Sequence, residues 1–116
     1  GFGLLGHLKE MCENSDVSSK INFQDLLFLD GAKELAMSGV MPGGTKRNLK
    51  SVEGVVSFSE QISEVEQLLS ADAQTSGGLL ISMPMEDAKS YVKKVNGQTA
   101  IIGQITEKKP YLIKVY

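Results

Sequence analysis

The chain is poor in the residues that build metal sites and disulfides. Among its 116 residues there is one cysteine, Cys12, and one histidine, His7. A single thiol closes no intrachain disulfide and excludes a Cys-rich zinc site, and a single imidazole excludes a His-pair metal site. So sparing a use of cysteine points to a reducing compartment. Apolar runs are only a few residues long, far below a membrane span, and no charged segment leads into an apolar signal core. Charge of one sign is also lacking. Twelve basic residues face 14 acidic ones, a net charge of −2, so nothing draws the whole domain to nucleic acid or to an anionic membrane. Internal repeats and low-complexity segments are absent.

What is present fits one ordinary domain, long enough to bury a core without staples. The apolar fraction of 41% and charged fraction of 22% argue against disorder. The first residue is glycine, and a glycine-rich apolar segment follows at once. So abrupt a start reads as a chain cut from something longer, with the missing part upstream.

Periodicity supplies the elements. Leu4, Leu5, Leu8, Met11 and Cys12 recur at helical spacing, which predicts a first helix ending near Asn14-Ser15. Lys20 to Phe23 reads as a short strand. Asp30 is the expected N-cap of a helix carrying Ala32, Leu35 and Ala36, with Gly39 as its stop. Met41 to Thr45 is expected to break structure, and Lys46 to Ser51 to form a short helix. Val55 to Phe58 reads as a strand, and a helix is expected from Ser59 through Ile62, Val65, Leu68 and Leu69. Leu79 to Met83 is apolar enough to suggest a strand covered on both faces. Pro84 suits the start of a helix bearing Ala88, Tyr91, Val92 and Val95, stopped at Asn96-Gly97. Thr99 to Ile105 and Tyr111 to Tyr116 close the list of strands. The interleaving predicts an α+β domain, with helices packed on a mixed sheet of about four to six strands.

Three stretches could carry chemistry. Gly1-Phe2-Gly3-Leu4-Leu5-Gly6 fits the dinucleotide G-x-G-x-x-G spacing, with Asp25 about 20 residues on, but no strand precedes it. Close helix packing at a domain junction explains those glycines better. Gly39 to Lys46 nearly matches a P-loop, yet Thr45 precedes Lys46, and that order excludes a Walker A site. What remains is a Pro-Gly-Gly turn feeding Thr45, Lys46, Arg47 and Asn48. Its N–H groups, hydroxyl and guanidinium could form a phosphate nest; composition alone favours an ordinary loop leading into a helix. Gln74-Thr75-Ser76-Gly77-Gly78 could bind an anion or nucleotide, or equally satisfy backbone groups as caps and turns. His7 has no Cys, Ser or Asp partner at a recognisable spacing and reads as a hydrogen-bonded structural residue. Cys12 falls on the apolar stripe and reads as a small buried hydrophobe. Glu60, Glu64 and Glu66 read as a solvated helix face.

Together, GFGLLGHLKEM at 1–11, GVMPGGTKRN at 39–48 and ADAQTSGGLLISMP at 71–84 resemble the C-terminal domain of the selenophosphate synthetase family, within the aminoimidazole-ribotide-synthetase-like superfamily. AIIGQITE at 100–107 resembles the family's closing strand. The likeness covers nearly the whole chain. Ala73 departs from it, because the family usually has proline between Asp72 and Gln74; the change alters local stiffness without abolishing function.

The resemblance implies a two-domain enzyme that turns ATP, selenide and water into selenophosphate, AMP and phosphate with Mg2+. Such an enzyme is cytoplasmic and dimerises mainly through its N-terminal domain. It also implies that the catalytic Cys or selenocysteine, the Lys and the metal-binding aspartates lie outside this chain. One of those aspartates belongs to a T-D-V-T segment directly before G-F-G. No catalytic residue and no metal ligand is therefore expected in residues 1–116, Cys12 inherits no catalytic role, and the chain alone is expected to be inactive and to bind no cofactor. Its partner would be the N-terminal nucleotide-binding domain, with no membrane and no direct nucleic-acid contact. The groups expected to face the cleft are Gly43, Gly44, Thr45, Arg47, Asn48, Gln74, Thr75 and Ser76. Two alternatives stay open. One is the equivalent domain of a sister enzyme, such as aminoimidazole ribotide synthetase or a hydrogenase-maturation protein. The other is a non-catalytic docking or regulatory module.

Overall fold

The computed structural model describes residues 1–116. The elements run α1 (Gly3–Ser15), β1 (Ser18–Ile21), a 3-10 turn (Phe23–Asp25), α2 (Ala32–Met37), α3 (Gly43–Ser51), β2 (Val56–Phe58), α4 (Glu64–Ser70), α5 (Met85–Lys94), β3 (Gly103–Thr106) and β4 (Ile113–Val115). The sheet has four strands in the order β2-β4-β1-β3. β4 is parallel to both β2 and β1, and β3 runs antiparallel to β1. This is the α+β class, with a mixed sheet at the lower end of the expected range.

Register sorts the side chains. Ser19 and Ile21 pair with Ile113 and Val115, which pair in turn with Val56 and Phe58. Side chains alternate along a strand, so these residues share one face. That face carries the helices: Ile21, Ile113 and Val115 join Leu5, Leu8 and Cys12 of α1 in a single apolar core. The other face carries Lys20, Ser57 and Lys114. Helix α1 packs on α3, α4 and β4, as its Leu5, Leu8 and Cys12 stripe requires. It ends at Asp16, whose left-handed backbone (φ 51°) turns the chain into β1. Cys12 is buried, as its place on the stripe predicted. No helix is long and apolar enough to cross a membrane.

Several local expectations are corrected. β1 is Ser18–Ile21, and Phe23 belongs to the following 3-10 turn, where Asn22 accepts a hydrogen bond from the Gln24 N–H. Gly31, not Asp30, caps α2; its left-handed φ of 83° makes the turn by backbone geometry, with no side-chain bond. Gly43, Gly44 and Thr45 do not break structure but form the first turn of α3, behind Pro42. α4 begins at Glu64 rather than Ser59. Ser63 and Glu66 form a capping box there, so Glu66 has a structural partner that a merely solvated face does not provide. Leu79 to Met83 is no strand. Leu79 is 90% exposed, and the segment, bounded by Gly78 and Pro84, makes no ladder. Apolar content alone does not supply the hydrogen-bonded edge a strand needs. The strand expected from Thr99 starts only at Gly103.

Candidate functional site

The three sequence segments singled out for chemistry meet at one corner of the molecule. Gly3 opens α1 with φ +73°, and its missing side chain lets the backbone of Ala71-Asp72 come close. A Cβ there would stand 2.7 Å from the carbonyl oxygens of both residues. Thus the glycine spacing serves close packing, while Gly1 itself has open space around it.

Helix α3 locks the same corner from the other side. Thr45, wholly buried, donates its Oγ1 hydrogen to Asp72 Oδ1 at 2.8 Å and accepts the Ala73 N–H at 3.2 Å. One turn on, Asn48 Nδ2 donates to the Gly1 carbonyl at 2.8 Å and the Ala71 carbonyl at 3.1 Å. A turn of helix separates the two side chains, so both reach the same strip of backbone. Gly44 lies against Ala73, where a Cβ would come within 3.1 Å of the Ala73 methyl.

The eight sequence candidates therefore divide. Thr45 and Asn48 are buried and spend their polar atoms on the corner itself. Gly43 and Arg47 are exposed. The Arg47 guanidinium folds back over the first turn of α3, with nitrogens 3.9 and 3.8 Å from where Cβ atoms of Gly43 and Gly44 would stand. It takes part in none of the chain's ion pairs. No side chain caps α3, so its leading N–H groups and the guanidinium share one exposed spot.

Gln74 and Ser76 line a cavity of about 500 Å³ beside the corner, together with Gly3, His7, Gly78 and Gln98. Thr75 is exposed and outside that lining. The loop folds on itself: Ser76 adopts φ 54°, and Gln74 Oε1 lies 2.7 Å from where a Gly77 Cβ would be. His7 is exposed, tilted against Phe2 at 5.8 Å and 3.5 Å from Glu10 Oε2, instead of being held in the core.

Asp72 is the residue the sequence reading did not single out. Its place two residues before Gln74, within the same motif, was the available signal. The chain brings together no group of three or more His, Cys, Asp or Glu side chains fit to hold a metal ion. Charge perturbation lies elsewhere. Glu107 is pulled below, and Lys109 raised above, its ordinary range, each first by their mutual side-chain hydrogen bond at 2.9 Å and then by the attraction of opposite charges. Both are on the β3–β4 turn, whose Lys108 pairs with Asp16 at the far end of α1.

Residues 1–115 match the family described as AIR synthase related protein, C-terminal domain. The chain is 42% identical over 109 residues to a selenide, water dikinase of Aliarcobacter butzleri, which covers 90% of this chain and 31% of that protein. It is 40% identical over 119 residues to one of Caldanaerobacter subterraneus, covering 99% and 34% respectively. A Campylobacter jejuni protein of the same name is 43% identical over 111 residues, covering 93% and 31%. The chain thus spans about a third of the length of the curated relatives it matches. With its α+β fold and the whole chain matched, it belongs to the family of AIR synthase related C-terminal domains.

Proposed function

We propose that the chain is the C-terminal domain of an ATP-dependent selenophosphate synthetase, which converts ATP, selenide and water to selenophosphate, AMP and phosphate with Mg2+. The observation that carries this is the corner itself. The three segments that resemble the family, far apart in sequence, interlock through Gly3, Thr45, Asn48 and Asp72. Relatives named selenide, water dikinase, at 36–43% identity, support the choice of acceptor.

In this reading the domain forms one wall of a cleft, and an N-terminal nucleotide-binding domain forms the other. That second domain carries the catalytic and metal-binding groups and most of the dimer contact, and the enzyme works in the cytoplasm. Phosphoryl transfer depends on positioning and charge stabilisation more than on covalent help from the protein. Arg47 and the leading N–H groups of α3 would supply positive potential to phosphoryl oxygens. Gln74 and Ser76 would orient polar groups in the neighbouring cavity. Thr45 and Asn48 act as positioning residues: they fix α3 against residues 71–73 and so fix where Arg47 and Gln74 stand. The chain alone is inactive.

Phosphorus NMR on the full-length enzyme, under anaerobic conditions with ATP, Mg2+ and selenide, tests this. A selenophosphate resonance appearing with AMP and phosphate is expected, and residues 1–116 alone should give none. Formation of ADP, or no turnover without another acceptor, would move the assignment to a sister enzyme of the superfamily. Arg47→Ala should lower turnover or ATP affinity in the full-length enzyme; if both stay unchanged, Arg47 has no role in the cleft.

A further inference from the structure

Two stretches of this chain leave complementary backbone groups unpaired. In the first, Leu79, Leu80, Ile81 and Met83 are apolar, yet no N–H or C=O from Leu79 to Met83 enters a backbone hydrogen bond. Leu79 and Ile81 are exposed. The second is β3, the last strand of the sheet, whose far edge has no neighbour. Ile105 and Gly103 stand opposite Ser19 and Ile21, which turn their own groups to the other side. The Ser19 N–H donates to the Leu112 carbonyl, and the Ile21 carbonyl accepts the Tyr116 N–H. Bonded and non-bonded pairs alternate along an antiparallel ladder, so Ile105 directs its N–H and C=O outward, to the free edge. Such an edge is a template for a further strand.

The two stretches lie side by side and run the same way. Gly77, Gly78 and Leu79 share the cavity of about 500 Å³ with Gln98 and Ala100. Further along, Ile81, Ser82 and Met83 share a second cavity, of about 370 Å³, with Ile101, Gly103 and Ile105. Helix α5 joins the stretches in sequence, and a helical crossover is the connection that parallel strands require. That helix is itself unfinished. Ala88, Tyr91 and Val92 line the second cavity, but no residue of α5 is buried.

We propose that residues 79–83 are a strap with a second conformation, in which they add to the free edge of β3 as a fifth, parallel strand. What fills the second cavity is then the chain itself, with the apolar stripe of α5 closing over the new strand. Ordering the strap costs backbone entropy, while the unfastened form leaves apolar surface in water, and these opposing terms keep the two forms close in free energy. Fastening also reshapes the wall beside Gln74 and Ser76. Leu79 follows Gly78 directly, and Leu80, Ala100 and Ile102 line both cavities.

Nitrogen-15 relaxation dispersion and saturation-transfer NMR on the chain detect a second form populated at roughly 0.1–10%. The expected result is one common exchange process for the amides of Leu80, Ile81, Ser82 and Ile105, absent at Ser57 of β2. Two proline variants then decide what that process is. Only alternate N–H groups of a strand face a given neighbour, so of Ile81→Pro and Ser82→Pro one removes a bond to β3 and the other does not. One should abolish the exchange at Ile105 and the other should keep it. Both positions are exposed and unbonded, so both variants should fold with the parent Tm. Val92→Asp, on the α5 stripe, should also abolish the exchange at Ile105. The proposal fails if Ile105 shows no exchange, if it exchanges at a different rate from residues 80–82, or if the two proline variants act alike.

Discussion

The hydroxyl of Thr45 is where the architecture is most exposed to a single change. Thr45→Val keeps the branched shape and nearly the same helix propensity, so the hydroxyl is what is lost. Two bonds go with it. The bond to Asp72 has a charged acceptor at 2.8 Å and is worth about 1.5–3 kcal/mol; the Ala73 N–H at 3.2 Å adds about 0.5–1 kcal/mol. Asp72 is only half-buried, so water can take over part of the first bond, and the lower half of its range applies. The net expectation is a loss of about 2–3 kcal/mol, which for a domain of this size lowers Tm by roughly 6–15 °C.

Urea unfolding followed by circular dichroism measures this through the midpoint, with an unchanged slope as the check that only stability moved. Thr45→Ser, which keeps the hydroxyl, should recover most of the loss. In a cycle with Asp72→Ala, the double variant should cost clearly less than the sum of the two single ones. Arg47→Ala, two residues away but exposed and outside the corner's hydrogen bonds, should stay within about 0.5 kcal/mol of the parent sequence. Equal and small effects for Thr45→Val and Arg47→Ala would refute the division of this motif into buried and exposed roles.

Other perturbations have equally definite outcomes. Gly3→Ala combines a left-handed backbone with a collision 2.7 Å from two carbonyl oxygens, and should cost at least about 3 kcal/mol by thermal unfolding. Gly103→Ala forces β3 away from β1 and should speed amide exchange at Asn22, whose N–H donates to the Ile102 carbonyl, before it affects β2. Ala73→Pro deletes the N–H that Thr45 accepts but stiffens the unfolded chain, and the opposing terms should leave stability within about 1 kcal/mol. For Glu107, whose pKa is lowered on folding, the pair's contribution is present above the ordinary carboxylate range and fades as pH falls through the lowered value. For Lys109, whose pKa is raised, it is present below the ordinary lysine range and fades as pH rises through the raised value. Lys109→Gln should return the Glu107 titration, followed by NMR, to the ordinary carboxylate range without a resolvable change in Tm near neutrality.

Much of the fold was legible where side-chain period and burial agree. Leu5, Leu8 and Cys12 announced α1, and all three are buried; Gly39 and Pro84 marked real boundaries. The failures share a physical cause. A sequence shows which residues prefer burial but not which backbone edge is free, so Leu79–Met83 looked like an inner strand although it pairs with nothing. Local turn chemistry also has several solutions. Asp30 could have capped α2, but Gly31 achieves the turn through its backbone; Ser59 could have begun a helix, but Ser63 has Glu66 three residues on and forms the reciprocal cap. At the corner, Thr45, Asn48, Gly1, Ala71 and Asp72 all fall within recognisable motifs, but which of them pair was not legible, because pairs separated by 23 to 47 residues leave no periodic trace.

The corner also explains why a motif that looks like a ligand-binding loop need not bind with every polar residue it contains. Under the proposed function, a turn that would present Arg47 and the first N–H groups of α3 to a phosphate is useful only if α3 cannot rock. Nothing caps that helix start from within, and its two glycines give it little side-chain mass to pack. Stiffness must therefore come from outside. Thr45 and Asn48 supply it by gripping the backbone at Gly1, Ala71 and Ala73, and Gly3 lets the same backbone approach α1 closely enough to be gripped. Substitutions at Thr45 or Asn48 in the full-length enzyme should consequently impair the nucleotide response and stability together, whereas substitutions at Arg47, Gln74 or Ser76 should alter the response and leave stability nearly untouched. A matched series of melting and ATP-titration measurements separates the two groups, and an Asn48→Ala protein with wild-type Tm but no ATP response would overturn the assignment of Asn48 to positioning.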